Sequence, residues 1–333
     1  MNEKQQALMQ RDRGVHADLL FMCLPLLAMA MFFYGVRPAI MCLTAFLTAN
    51  LCDRLAALLR RMPYDKNEWS SEAFAVMFTL MIPASASYYV VVVGSIAAVI
   101  LGKEAFGGYG AYPFHPTAVG YVVAAVNWPD QMFRYPQPFT AVPVVQVDTI
   151  AGALVESPLY TLKTGGLPTL DSMELLLGNY AGPMGLTALL VILACALFLW
   201  NRRRLNLLAP VCFLLTCALV AFLAPRLGDI PAMSAPWVHL ADRLAVVKYE
   251  ICGGGMVFAA VYLLADPITV PKNQVSCALY SILLGFMTMM FRYYGNYEVG
   301  VCFAMLAVNA VSGWIDRTVC KAMNRKGVVR REY

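Results

Sequence analysis

The chain alternates long apolar stretches with short polar ones. Apolar runs lie near 17–34, 38–58, 72–83, 86–101, 117–128, 184–200, 205–224, 251–265, 276–291 and 298–314. One helix needs roughly 20 residues to cross a bilayer, so the pattern predicts an all-α polytopic membrane protein of about ten transmembrane helices. Several runs fall short of that length. A short run ending in proline or glycine fits a broken helix whose freed backbone groups are buried in protein. The only long connection is 129–183. Within it, Pro168-Thr169-Leu170-Asp171 predicts a short helix through Leu177, stopped by Gly178-Asn179. A second connecting segment, Trp237 to Glu250, carries Trp237, Leu240, Leu244 and Val247 at helical spacing. That suits a helix lying along the membrane interface and one packed on the bundle equally well.

The two halves echo each other. Phe106-Gly107-Gly108-Tyr109-Gly110 precedes an apolar run ending at Asn127, and Phe291-Arg292-Tyr293-Tyr294-Gly295 precedes one ending at Asn309. The third run of each half ends near a proline, Pro83 and Pro267. Five spans per half is an odd number, so the halves would form two inverted five-helix repeats, an arrangement that puts binding sites at the repeat interface. The expected organisation is a cytoplasmic segment 1–16, a first repeat 17–128, an outer loop 129–183, a second repeat 184–317 and a basic cytoplasmic tail 318–333.

Composition agrees. Of 333 residues, 60% are hydrophobic and 14% charged, against about 45–50% apolar and about 25% charged in soluble domains. This excludes a disordered chain, a nucleic-acid-binding arm and an ordinary soluble enzyme, and the loops are too small for a separate catalytic domain. The net charge is +5, and its distribution orients the chain. With the N-terminus inside, 18 of the 25 Lys and Arg residues are inside: those before residue 14, Arg54 to Lys66, Lys103, Arg202-Arg203-Arg204, Lys272 and those from Arg317 onward. The 7 outside are Arg37, Arg134, Lys163, Arg226, Arg243, Lys248 and Arg292. The bias predicts a multi-pass protein of the cell inner or plasma membrane with both termini cytoplasmic and 129–183 outside. The Arg202-Arg203-Arg204 run reads as a topology anchor. The ten cysteines form no CxxC pair and fall mostly in apolar runs, as buried small hydrophobes do. His16, His115 and His239 are far apart in sequence and give no metal-ligand spacing.

Three strings carry candidate chemistry. The first is Phe106-Gly-Gly-Tyr-Gly-Ala-Tyr-Pro-Phe-His-Pro-Thr-Ala-Val-Gly-Tyr121. Its glycines allow close backbone approach, its prolines fix extended backbone, and its aromatics suit a planar ligand. The second runs from Gly253 to Asp266-Pro-Ile-Thr269-Val-Pro271, and the third from Tyr297-Glu298 to Asn309, followed by Ile315-Asp316-Arg317. Acids within membranes are functional candidates by default. Of Glu72, Asp266, Glu298 and Asp316, all near run ends, Asp266 and Glu298 stand first because these strings contain them.

Together the strings resemble the D subunit of the Rnf electron-transport complex and, more distantly, the B subunit of the sodium-translocating NADH:quinone reductase. That family shows FGGxGxNPFNPAxVGY, a glycine-rich span leading into DPVTxP, and YPEGVxxAILLMN followed by Ile-Asp-Arg. The resemblance covers about residues 16–317. It implies a translocase-type oxidoreductase subunit passing electrons between ferredoxin- or NADH-side subunits and an acceptor, coupled to Na+ or H+ transport. Its implied partners are the other subunits of the complex, the lipid bilayer and a flavin transferase, with no nucleic acid. Its implied cofactors are a covalent FMN, joined to a threonine in D-x-x-S-G-A-T of the outer loop, and a second non-covalent flavin such as riboflavin. The candidate non-covalent site is Phe106, Gly107, Gly108, Gly110, Pro113, His115, Pro116, Asp266 and Thr269, and the resemblance implies no catalytic residue and no metal.

The attachment motif is altered. The loop reads Asp148-Thr149-Ile150-Ala151-Gly152-Ala153-Leu154, so leucine stands at the acceptor position. Counted from the downstream match, Ser157-Pro158-Leu159-Tyr160-Thr161-Leu162-Lys163 puts Ser157 there instead. His115 stands where the family more often has asparagine. A rival reading is a cofactor-free inverted-repeat solute transporter, or a structural subunit that lost its covalent flavin. The topology is tested by labelling: cysteines introduced as Thr140→Cys and Gly327→Cys are expected to react from opposite sides of intact cells. Reaction from one side would contradict the ten-span arrangement.

Overall fold

A computed structural model describes residues 3–61, 67–145, 152–226, 237, 239–253 and 255–325. Its long elements in the first half are α1 (Glu3–Tyr34), α2 (Arg37–Leu59), α3 (Ser70–Leu80), α4 (Tyr88–Ile96, continued by a π-helical turn, Ala97–Leu101) and α5 (Pro116–Asn127). The connection that follows holds α6 (Pro129–Met132), a two-residue strand pair β1 (Tyr135–Pro136) and β2 (Leu154–Val155), α7 (Pro158–Lys163) and α8 (Ser172–Leu177). The second half has α9 (Leu189–Asn201), α10 (Leu208–Leu223), α11 (Leu240–Gly253), α12 (Met256–Phe258, continued by a π turn, Ala259–Leu263), α13 (Gln274–Tyr294) and α14 (Val301–Arg325). The protein is an all-α polytopic membrane protein.

The helix surfaces fit lipid rather than water. On α2, Ala45, Ala49, Cys52 and Ala56 face inward while Leu43, Leu47, Leu51, Leu55 and Leu58 are exposed. On α10, Ala209, Phe213, Cys217 and Ala221 are buried while Leu215, Leu219 and Leu223 are exposed. Mostly small residues inside, with Phe213 the exception among those named, and leucines outside is the arrangement expected where lipid is as apolar as the core. The helices meet in comparable groups: α2 packs on α3 and α4, α10 packs on α11 and α13, and α5 and α14 touch across the middle.

The helix lengths are uneven. Gly14–Tyr34, Arg37–Leu59, Tyr88–Phe106 and Gln274–Tyr294 are long and apolar enough to cross alone, and α11 with α12 and its π turn forms a pair bent by 56°. The helices α3, α5, α9 and α10 have 11, 12, 13 and 16 residues. At 1.5 Å per residue they reach about 16 to 24 Å, short of a bilayer core of about 30 Å. The first and third of these are extended by buried non-helical backbone. Residues 81–86 after α3 and 180–188 before α9 are buried, and they pair with each other. The Gly185 amide donates to the Leu80 carbonyl at 2.8 Å and the Met184 amide to Ile82 at 3.1 Å. A Cβ on Gly185 would stand 2.6 Å from the Leu80 Cβ, so only glycine permits this approach.

Arg37 closes the opposite side of the same break. It is 1% exposed. It donates to Ala84 O (2.8 Å), Ala86 O (2.8 Å), Pro143 O (2.9 Å) and Val144 O (2.8 Å), and its guanidinium lies 4.6 Å from the Tyr88 ring centroid. One planar cation thus satisfies carbonyls that no helix can satisfy and ties the break to the connection after α5. The sequence shows Arg37 only as a charge on the outer side. The predicted helix after Asp171 is α8, with a capping box between Asp171 and Glu174 and a left-handed Gly178 at its end. The segment after Trp237 becomes α11, packed on the bundle through Arg243, Val246, Tyr249 and Glu250.

Arg37→Ala would leave buried carbonyls without donors and is expected to cost about 3 kcal/mol or more. Arg37→Lys, a point donor in place of a fork, is expected to recover only part of that. Thermal unfolding of the detergent-solubilised protein checks both. An Arg37→Ala melting temperature equal to wild type would contradict the clamp.

Candidate functional site

The two glycine- and proline-rich strings meet at one buried centre. The π turn ending at Leu101 leads into Gly102, where a Cβ would be 2.4 Å from Ala98 O. Beyond it, Gly107, Gly108 and Gly110 take φ of 120°, 88° and 87°, values that side chains strongly disfavour. These reversals split the first string. Phe106, Gly107, Gly110 and Pro113 lie on its exposed side, where the Phe106 and Phe114 rings face each other at 5.9 Å. Tyr112 and His115 turn inward and are buried, and Pro116 is the first residue of α5, after His115 as its N-cap.

From the second string, Asp266 is 1% exposed. Its carboxylate folds back to accept from Thr269 Oγ1 at 2.7 Å, the Thr269 amide at 3.2 Å and the Ile268 amide at 3.4 Å. The Tyr112 hydroxyl donates to Asp266 Oδ1 at 3.0 Å, which joins the two strings across 154 residues of sequence. A third element enters from α1: His16 Nε2 lies 3.3 Å from Asp266 Oδ1, although its ring nitrogens are off the hydrogen-bond direction. Phe74 of α3 stands edge-on to His16 (5.1 Å), His115 (5.3 Å) and Tyr112 (5.7 Å). Histidines 99 positions apart in sequence therefore share one wall, which no spacing rule could reveal.

The electrostatics of this centre are specific. Asp266 follows the second π turn and His115 precedes α5, so both groups lie beyond the ends of their spans. Burial pushes the Asp266 carboxyl up, but His16, His115 and Thr269 outweigh it and hold the group down at about 2. Burial pushes the His115 imidazole down to about 4, against a smaller upward pull from Asp266. At pH 7 His115 is then neutral, with one donor and one acceptor. Neither of its nitrogens has a hydrogen-bond partner among the described residues. Buried polar atoms are nearly always paired, so a fully buried imidazole with neither nitrogen paired among the described residues is the exception that this centre presents.

Beside this centre, Gly108 faces a charged cluster. Lys103, 1% exposed, contacts Glu68, donates to Ser71 Oγ at 2.8 Å and lies 3.5 Å from Asp53 and 3.6 Å from Glu104. Arg60 pairs with Glu104 at 2.7 Å. The nearby Glu72 is also buried and accepts from Asn50 at 2.9 Å. The sequence presents Lys103 as one more inside charge, whereas the fold buries it among three carboxylates, one of them shared with Arg60.

On the other side of the bundle, Ser157 is buried at the N-cap of α7, where it accepts from the Tyr160 amide at 3.3 Å. Its hydroxyl donates to Glu298 Oε2 at 2.5 Å, and Tyr135 of β1 donates to Oε1 of the same carboxylate at 2.6 Å. Glu298 of the third string and the 129–183 connection are thus locked together, with Tyr297 stacked on Phe133 at 4.8 Å. Leu154 belongs to β2, paired with Pro136. Asp148 to Ala151, the start of the altered attachment motif, lie outside the described residues. Asp316 is half-buried and joins neither centre.

The sequence profile of the NQR2, RnfD, RnfE family matches residues 9–324. The chain belongs to this family. Among its relatives is the D subunit of the ion-translocating oxidoreductase complex of Actinobacillus succinogenes, 28% identical over 90% of each chain. The proteins of the same description from Alcanivorax borkumensis and an Escherichia coli strain are each 26% identical over 90% of this chain, and over 88% and 90% of their own.

Asp266→Ala would leave the Tyr112 and Thr269 hydroxyls without their acceptor and is expected to cost about 3–5 kcal/mol. Tyr112→Phe removes one bond from a carboxylate that keeps its other partners and is expected to cost about 1–2 kcal/mol. Thermal unfolding in detergent orders the two. Equal losses would contradict Asp266 as the hub.

Proposed function

We propose that the chain is the membrane-embedded subunit of an Rnf-like ion-translocating electron-transport complex and that it holds a non-covalent flavin at the centre formed by His16, Tyr112, His115 and Asp266. The observation that carries this reading is the Tyr112–Asp266 bond, which brings two motifs and α1 to one buried place. The donor set fits a flavin. The ring system presents carbonyl oxygens and an N–H along one polar edge, and neutral His115 can meet it with a donor and an acceptor. Bound there, a flavin would supply one- and two-electron transfer.

The chain's own residues would do the rest. His115 would hydrogen-bond the polar edge, while Asp266 would stay ionised and keep Tyr112 and Thr269 in place. Phe74 and the surrounding helices would exclude water. Electrons would come from ferredoxin- or NADH-side subunits and leave to an acceptor on another subunit, coupled to Na+ or H+ movement. Both termini would be cytoplasmic, with the Ser157–Glu298 lock on the outer side.

The same reading takes the covalent flavin as lost. Leu154 has no hydroxyl, and the Ser157 hydroxyl is buried, donated to Glu298 and used as a helix cap. A phosphoester at Ser157 would displace all three features, even with a flavin transferase present.

Purified native protein is expected to release flavin on denaturation, while its band in a denaturing gel stays dark under ultraviolet light. A fluorescent band abolished by Ser157→Ala would overturn the loss of covalent attachment. Native protein devoid of flavin would overturn the non-covalent site and favour the solute-transporter reading.

A further inference from the structure

A cavity of about 340 Å³ opens beside the second string, between Val15 of α1, the turn after α9 and residues 264–272. Its polar lining is Arg203, Arg204, Asn206 and Lys272, and its floor includes Val15, Leu264 and Val270. Asp266 forms part of the wall, but its carboxylate is engaged by Tyr112, Thr269 and His16. Arg203, Lys272, an Arg204 shared with Asp18, an amide and an apolar floor describe a site for an anion that carries hydrocarbon.

The depth of the cavity identifies the source of that anion. Along α9, Leu190, Leu193 and Leu197 are exposed, then Trp200 at 54%. The chain then turns at Arg203, whose φ is +55°, and presents Arg202, Arg203 and Arg204. Leucine, then tryptophan, then arginine is the order met in passing from hydrocarbon through the interface to the headgroups. Arg202 and Arg204 are held by Asp18 of α1 at 3.4 and 2.8 Å. Gly14 gives Arg204 room, because a Cβ there would stand 2.6 Å from the guanidinium. The arginine turn is thereby fixed against α1 at the mouth of the cavity rather than left as a loose anchor.

We infer that this cavity binds the phosphate of an anionic phospholipid, with the acyl chains running down the exposed leucines of α9. Basic pockets between spans at the headgroup level recognise such lipids. Because Asp266 and Pro267 wall the cavity, an occupied site braces the segment that holds the buried centre.

The test uses the full chain in detergent and three additives: phosphatidylglycerol, phosphatidylcholine and inorganic phosphate. Phosphatidylglycerol is expected to raise the melting temperature by several degrees, and the other two are not. The double variant Arg203→Asn, Lys272→Gln removes two cations while asparagine tolerates the left-handed turn. It is expected to stay folded without lipid, with a cooperative melting transition, and to bind phosphatidylglycerol about tenfold more weakly. A phosphate-induced rise in wild type that the double variant lacks would support the phosphate site and assign it a soluble ligand. Equal effects of the two lipids, or an unchanged response in the double variant, would overturn the proposal.

Discussion

Within a bilayer no water reaches the backbone, so each amide and carbonyl that leaves a helix must find a partner in the protein. The fold of this chain is organised around that requirement. The 81–86 segment leaves α3 inside the bundle, and its groups are met by Gly185, Met184 and the Arg37 fork. The 264–269 segment leaves the second π turn, and its amides are met by Asp266 itself. The first break, inside the bundle, is held by partners distant in sequence, and the second, just beyond the end of its span, by a folded-back side chain.

The same breaks create the chemistry. An unbroken apolar helix offers a ligand only side chains, whereas a break brings in polar groups that need one another. Asp266 is useful to the fold because it caps its own turn, and it is useful to a ligand because it orients Tyr112 and sets the charge around two histidines. His115 is left over from this pairing, fully buried with both ring nitrogens open among the described residues. The Ser157–Glu298 centre behaves differently: the Ser157 and Tyr135 hydroxyls and both Glu298 carboxylate oxygens are committed to one another, which makes it a lock between the loop and the segment before α14 rather than a receptor.

The sequence reveals some of this and hides the rest. The capping box at Asp171 and the stop at Gly178 are local, and their chemistry is complete within eight residues. Expected helices over 38–58 and 276–291 appear as α2 and α13 because propensity and hydropathy agree there. Hydropathy cannot see the buried breaks, since Met81-Ile82-Pro83-Ala84 is as apolar as any helix; Pro83 marks a stop, but the distant partners that satisfy the turns there do not show in the sequence. It also places the end of the last span near 314, whereas α14 continues to Arg325 through residues that favour a helix even when charged. His16 is invisible as a site residue because its partner is 250 positions away. Arg37 and Lys103 look like topology charges because a charge count cannot tell a solvated cation from a buried one.

The flavin reading is tested most directly at His115, which is buried beside the Tyr112–Asp266 bond and held neutral with a donor and an acceptor to offer a polar edge. The most direct measurement is the flavin content per polypeptide of a His115→Leu variant, compared with wild type at equal melting temperature. A clear loss of flavin from a protein that is still folded is the expected result. A folded His115→Leu protein with the full wild-type flavin content would contradict a flavin at the buried centre.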